Sequence, residues 1–189
     1  MSKGSTVEQK IHYFDSNEHY SVYDFSNNLY ELIMKNKAHD KPIVFLCIGT
    51  DRATGDCLGP IVGYKLMKTC RKKILLYGTL SYPVHAQNLS ETIESIYHEY
   101  PNAFLIAIDA SLGSSPHIGF ITLGEGPLLP GAGVSKDLPS VGDIFITGIV
   151  NFSGVLDSML LQTTRLNIVM ILADFICTGI HYCYRKLNN

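Results

Sequence analysis

Two runs, IVFLCIG at 43–49 and AFLIAID at 103–109, are apolar without polar alternation, and they constrain this chain more than anything else in it. A strand with one wet face shows a period of two. A continuous apolar run needs cover on both faces, as at the centre of a parallel sheet between helix layers. Parallel neighbours in turn need helical crossovers, and the intervening sequence supplies them. After the first run, the loop GTDRATGD (49–56) leads into a helix predicted over Cys57–Thr69, with Pro60 tolerable in its first turn. The strand ILLYGTL (74–80), a helix near Ala86–Tyr100 and the second run follow, with Asp109 delivered into the turn ASLGSS.

The remaining elements extend this pattern. Residues 1–20 are polar and aromatic without a clear period and read as an arm. Val22, Phe25, Leu29, Leu32 and Ile33 fall at helical spacing within 21–37. GFITLGEG (119–126) alternates and suggests an antiparallel or edge strand. A long Gly- and Pro-rich loop at 126–143, the strand IFITGIV (144–150) and a long helix from about Ser153 complete the order. The fold class expected is α/β, three layers around a mostly parallel sheet in one domain, with residues 1–40 as arm and amphipathic helix and 41–189 as the α/β unit.

Composition narrows the function classes. At 189 residues, 46% hydrophobic and 17% charged, disorder is excluded, and a net charge of −2 gives no reason to expect nucleic acid as partner. The basic cluster Lys68, Arg71, Lys72 and Lys73 reads as the solvated end of a helix. Five cysteines (47, 57, 70, 177 and 183) include no Cys-x-x-Cys pair, which fits a reducing cytoplasm, and MSKGSTVEQKIHYFD has no signal-peptide pattern. The stretch LNIVMILADFICTGIHYC (166–183) is very apolar, but Asp174 interrupts it short of the roughly 18 uncharged residues of a spanning helix. It reads as a central or subunit-interface helix, with no membrane expected and a homo-oligomer through this helix as one outcome.

Ligands of open α/β sheets bind beyond the carboxyl ends of the strands. The loops reaching that edge are 49–59, with Asp51 and Asp56, 109–115, with Asp109, and part of the 126–143 loop. Two carboxylates in a partly dry cleft repel each other, so one pKa rises and the pair divides into acid and base, as metal-free amide hydrolysis requires. The same oxygens could instead hold a divalent cation. Gly49, Gly55 and Gly59 would let backbone amides approach a substrate oxygen. Each residue also has a plainer reading: Asp56 as a helix N-cap, Asp109 as a turn residue, Cys57 as a packed thiol rather than a nucleophile, and His85 and His117 as ordinary loop histidines.

GTDRATGDCLGP (49–60), LIAIDASLG (105–113) and PGAGVSKDLPSVGDIFITGIVN (130–151) together resemble the YyaC-type sporulation protein family. That family is similar to the spore germination protease and, more remotely, to hydrogenase maturation proteases. The resemblance implies a phosphorylase/hydrolase-like fold and an aspartic-type endopeptidase without metal or other cofactor, its two acids at Asp56 and Asp109. It brings Ser135 and Lys136 towards the cleft as substrate-binding residues. The nickel-binding histidine of the hydrogenase maturation proteases has no counterpart in the later loop, which offers Ser135, Lys136 and Asp137. The expectation is therefore a cytoplasmic hydrolase of a sporulating bacterium, in the forespore or mother cell. Its substrate would be a protein or peptide, with small acid-soluble spore proteins as candidates. The competing expectation is a non-catalytic sporulation assembly protein on the same fold.

Overall fold

The structure, a computed structural model, describes residues 10–69, 74–131, 138–154 and 156–188. The two apolar runs lie side by side at its centre. Six strands, β1 (Ile11–Asp15), β2 (Ile43–Cys47), β3 (Leu75–Tyr77), β4 (Phe104–Gly113), β5 (Phe120–Glu125) and β6 (Ile144–Phe152), form one sheet in the order β1-β5-β6-β4-β2-β3. β3, β2, β4 and β6 pair in parallel, and β5 runs against both β6 and β1. The helices are α1 (Ser21–Lys35), α2 (Leu58–Thr69), α3 (Leu89–Glu99), α4 (Asp157–Gln162) and α5 (Leu166–Leu187).

Burial on both faces is what the two runs required. Phe45, Cys47, Ile106 and Ile108 point to one side, where they join Phe25 and Leu29 of α1, Leu58 and Val62 of α2, and Leu172 and Ile176 of α5. Val44, Leu46, Leu105 and Ala107 point to the other, where Leu89 and Ile96 of α3 cover them. The result is the mixed, mostly parallel α/β/α arrangement that the alternation of elements implies.

Three elements differ from the sequence reading. Residues 11–15, read only as part of an arm, form a strand on β5, with Phe14 buried in the core. The described part of the arm therefore belongs to the same body as the rest. Second, β4 does not turn at Asp109: Ala110–Gly113 continue as strand along β6. Third, the single helix expected from about Ser153 is two. The Thr163 and Thr164 hydroxyls donate to the carbonyls of Met159 and Leu160 (3.0 and 2.8 Å), and Asn151 Nδ2 also donates to Leu160 (3.0 Å). Side chains thus satisfy the last carbonyls of α4 and end it.

By length and composition α5 could cross a membrane, yet its apolar stripe is spent inside the protein. Val169, Leu172, Ala173, Ile176, Ile180 and Cys183 recur at three- and four-residue spacing and are fully buried. Its polar side carries Asp174, which pairs with Lys65 of α2 at 2.7 Å. The helix lies close on α1 at Gly179, where an added Cβ would stand 2.2 Å from Phe25 Cδ1. That ring is held edge-on by Phe14 and Phe175, with centroids 5.5 and 5.7 Å away, so it has nowhere to retreat. Gly179→Ala is expected to destabilise the fold by about 1–3 kcal/mol. A lowered urea midpoint at unchanged slope would show it, and an unchanged midpoint would mean that α1 and α5 are not so tightly apposed.

Candidate active site

Unequal strand lengths make the site. β2 pairs with β4 only as far as Cys47 and Ile108, with one more bond from the Ile48 amide to the Ile108 carbonyl (2.7 Å). β6 holds β4 further, pairing Asp109 with Thr147. Asp109 is therefore the first residue of β4 beyond the end of β2, fixed on one edge and facing a crevice on the other. That crevice is also the topological switch point. From β2 the chain passes through α2 on one face to β3, then through α3 on the opposite face back across to β4. Loops diverging there leave room for a ligand.

Asp56 reaches the same crevice from the loop after β2. It does so from a tight 3₁₀ turn, Gly55–Cys57, that runs directly into α2. Its carboxylate Oδ2 accepts from the Thr50 amide at 3.0 Å, and its carbonyl accepts from the same amide at 3.2 Å. The loop is closed on itself by these bonds. Gly49 makes the closure possible: its φ is +136°, and a Cβ there would fall 2.0 Å from the Asp56 carbonyl oxygen. The Gly49 amide also donates to the Val84 carbonyl (2.8 Å), tying the loop to the segment after β3.

Asp56 and Asp109 line one cavity of about 240 Å³ with Thr50, Arg52 and His85. Pro130, Gly131 and Leu138, from either side of the long loop, close its flank. Asp109 is 5% exposed. Burial first, and then the charge of Asp56, push its carboxyl well above the usual range, against the opposing pull of the Ala110 and Gly131 amides. The Ala110 amide donates to Asp109 Oδ1 at 2.8 Å. Asp56 is less enclosed. Burial raises its pKa too, while the Thr50 amide and the neighbouring His85 draw it back. His85 Nδ1 accepts from the Gln87 amide (3.3 Å), which leaves Nε2 to carry the ring proton of the neutral form. Two carboxyls of unequal acidity in one crevice can hold a single proton between them, on Asp109.

Of the glycines expected to bind substrate, Gly49 lines the cavity. Gly55 and Gly59 do not, among the described lining residues. A Cβ on Gly55 would meet the Leu161 carbonyl at 2.9 Å, and one on Gly59 the Ile48 carbonyl at 2.0 Å, so both serve backbone packing around the loop. Ser135 and Lys136 lie outside the described residues, although Gly131 and Leu138 on either side do reach the cavity. Asp51 is exposed and does not line the cavity, although its neighbours Thr50 and Arg52 do. Cys57 is buried, its Sγ donates to the Thr54 carbonyl (2.9 Å), and burial raises its pKa, which holds it as a thiol rather than a nucleophile. His117 stands elsewhere, bonded to Ser114 Oγ (2.8 Å) and against Tyr13 and Phe120. Arg52 escaped the sequence reading, and of the long loop, which the resemblance turns towards the cleft, Pro130, Gly131 and Leu138 were not singled out. Arg52 had a signal, as the cation of the Asp56 loop, and the flanks had the resemblance of the segment that begins at Pro130. Among the described residues no three His, Cys, Asp or Glu side chains are grouped so as to hold a metal ion.

A family model described as a protein of unknown function, DUF1256, matches residues 11–179. The uncharacterized protein YyaC of Bacillus subtilis (strain 168) is 53% identical over 144 residues, covering 76% of this chain and 70% of YyaC.

A carboxyl that is a weaker acid folded than unfolded opposes folding once the unfolded chain ionises. Stability at Asp109 is therefore complete below its ordinary value of 3.8 and is lost as pH rises towards the higher folded value. Asp109→Asn keeps the acceptor for the Ala110 amide and removes the charge. Its expected effect is a higher Tm at pH 7, with the gain shrinking towards zero as pH falls to about 4. Thermal melts across that range check it; a loss of Tm at pH 7 would show that the folded state prefers the charge.

Proposed function

The chain belongs to the DUF1256 family, and we propose that this member is a metal-independent hydrolase of peptide bonds working through Asp56 and Asp109. The observation that carries the reading is the pair of carboxyls in one crevice, one buried and hard to ionise, the other half-buried and tied to the Thr50 amide. The likeness of the blocks around both acids to the spore germination protease supports it from the sequence side.

The chemistry follows from the inequality of the two groups. Ionised Asp56 takes a proton from water as the water oxygen attacks the carbonyl carbon. Protonated Asp109 gives its proton to the carbonyl oxygen, forming a tetrahedral diol. Collapse reverses the transfers: Asp56 protonates the departing amine nitrogen and Asp109 takes back the hydroxyl proton. Water and peptide become acid and amine, and both carboxyls return to their starting states. Arg52 and His85, on the same wall, supply positive charge or donors to a substrate carbonyl. A protein or peptide is the substrate, and a role in a sporulating cell is part of the same proposal.

The assembly reading drew on the apolar C-terminal helix, and the core accounts for most of that apolarity. The test is cleavage of small acid-soluble spore proteins, and of a mixed peptide library, in the presence of EDTA. Wild type is expected to cleave, with Asp56→Asn and Asp109→Asn each lowering the rate by about 10²–10⁴-fold. Cleavage that survives both substitutions, or that EDTA abolishes, would overturn the two-carboxylate mechanism.

A further inference from the structure

The carboxylate cavity, at about 240 Å³, has room for the reacting peptide group and little more. Typical ligand sites run from about 300 to 1,000 Å³. A larger hollow of about 630 Å³ lies next to it, and His85 lines both. The two are also joined through the backbone. Val84, on the wall of the second hollow, accepts from the amide of Gly49, the residue that opens the Asp56 loop. The wall of the second hollow is thus tied to the loop that carries Asp56.

The wall of this hollow is built rather than loose. The Thr79 amide donates to the Tyr82 carbonyl (3.0 Å), and the Tyr82 amide donates back to Thr79 Oγ1 (3.2 Å). Asn88 bridges the next turn, accepting from the His85 amide (2.8 Å) and donating to the Pro83 carbonyl (3.1 Å). The polar groups of the wall are largely spent on one another. Met67, Leu76, Tyr77 and Tyr82 face the space together with Ser81, His85 and Thr92 of α3, and among the described residues none that lines it is Asp, Glu, Lys or Arg. Tyr82 is 82% exposed on a turn that its backbone bonds hold in place, a large ring with little left to order on contact.

We propose that this second hollow is a substrate subsite that accepts an aromatic or large aliphatic side chain flanking the scissile bond of a polypeptide. The inference rests on the hydrolase reading for the position of that bond. The occupant is a polypeptide because the hollow continues from the carboxylates past His85, where a residue next to a reacting peptide group must go. The chemistry of the side chain follows from the lining. A carboxylate or ammonium there would lose water and meet no Asp, Glu, Lys or Arg among the described lining residues, whereas an apolar group would cover Tyr82 and Met67.

The test uses the full chain and ten-residue fluorescent peptides that differ at the positions flanking one central bond, with Phe, Leu, Asp or Lys in turn. Binding is measured on Asp56→Asn protein, so that no peptide is consumed, and cleavage on wild type. Phe and Leu peptides are expected to bind at least about tenfold more tightly than Asp or Lys peptides at one flanking position. Thr92→Arg, which puts a charge and bulk into the hollow, and Tyr82→Ala, which removes its exposed ring, are each expected to cut that preference severalfold with Tm unchanged. Cleavage of all four peptides alike, or a preference that both substitutions leave intact, would overturn the subsite and spare the hydrolase. An apolar preference lost in both variants but accompanied by no cleavage would support the subsite and overturn the hydrolase. Absence of any peptide binding would overturn the subsite whatever the cleavage result.

Discussion

The arrangement of this site depends on one mismatch: β2 stops pairing at Cys47, while β4 goes on beside β6 to Gly113. Had the two central strands ended together, residue 109 would sit in a turn, wet and mobile. Instead it is anchored by main-chain bonds to β6 on one side and has lost its neighbour on the other. The loop after β2 must then fold back over the gap, and Gly49 lets it do so by taking a φ that a side chain would oppose. Crevice, enclosure of Asp109 and approach of Asp56 all follow from that step in the sheet.

The sequence disclosed the layers because burial leaves a periodic signature. IVFLCIG and AFLIAID lack alternation for the same reason that Val44 and Phe45 are both fully buried: helices cover both faces. It also brought forward Asp56 and Asp109, as acids that follow central strands. What it could not disclose were relations between distant segments. ASLGSS carries the residues of a turn, and only its pairing with Thr147–Phe152 makes most of it strand. IHYFD has no strong period in isolation and becomes a strand by lying on β5. Gly55 and Gly59 belong to the same loop as Gly49, but their neighbours are Leu161 and Ile48 rather than the cavity. Spacing along the chain cannot separate a glycine that admits a ligand from one that admits another piece of backbone.

The placement of the wall after β3 adds a second consequence of the switch point. Because β3 lies beyond β2 and the chain must return across it to β4, the segment 78–88 passes beside the carboxyl end of β2 on its way into α3. Its bond to Gly49 is a product of that route. The crevice between β2 and β4 and the hollow beside β3 are therefore two openings of one topological crossing, and His85 stands where they meet.

The two acids also differ in how they are held, and in the proposed hydrolysis that difference would divide their roles. Asp109 is on a central strand, where the local environment withholds water and favours the proton. Asp56 is on a loop, where a backbone amide and a nearby imidazole favour the charge. Exchanging the side chains' protonation would place a negative charge in the drier position and leave the Thr50 amide facing a group that no longer needs it. Both changes are unfavourable, so burial and the Thr50 amide favour the proton on Asp109 over the proton on Asp56. In the proposed hydrolysis the base would therefore stand on the less buried side of the crevice and the acid on the central strand, where a carbonyl oxygen can be held still.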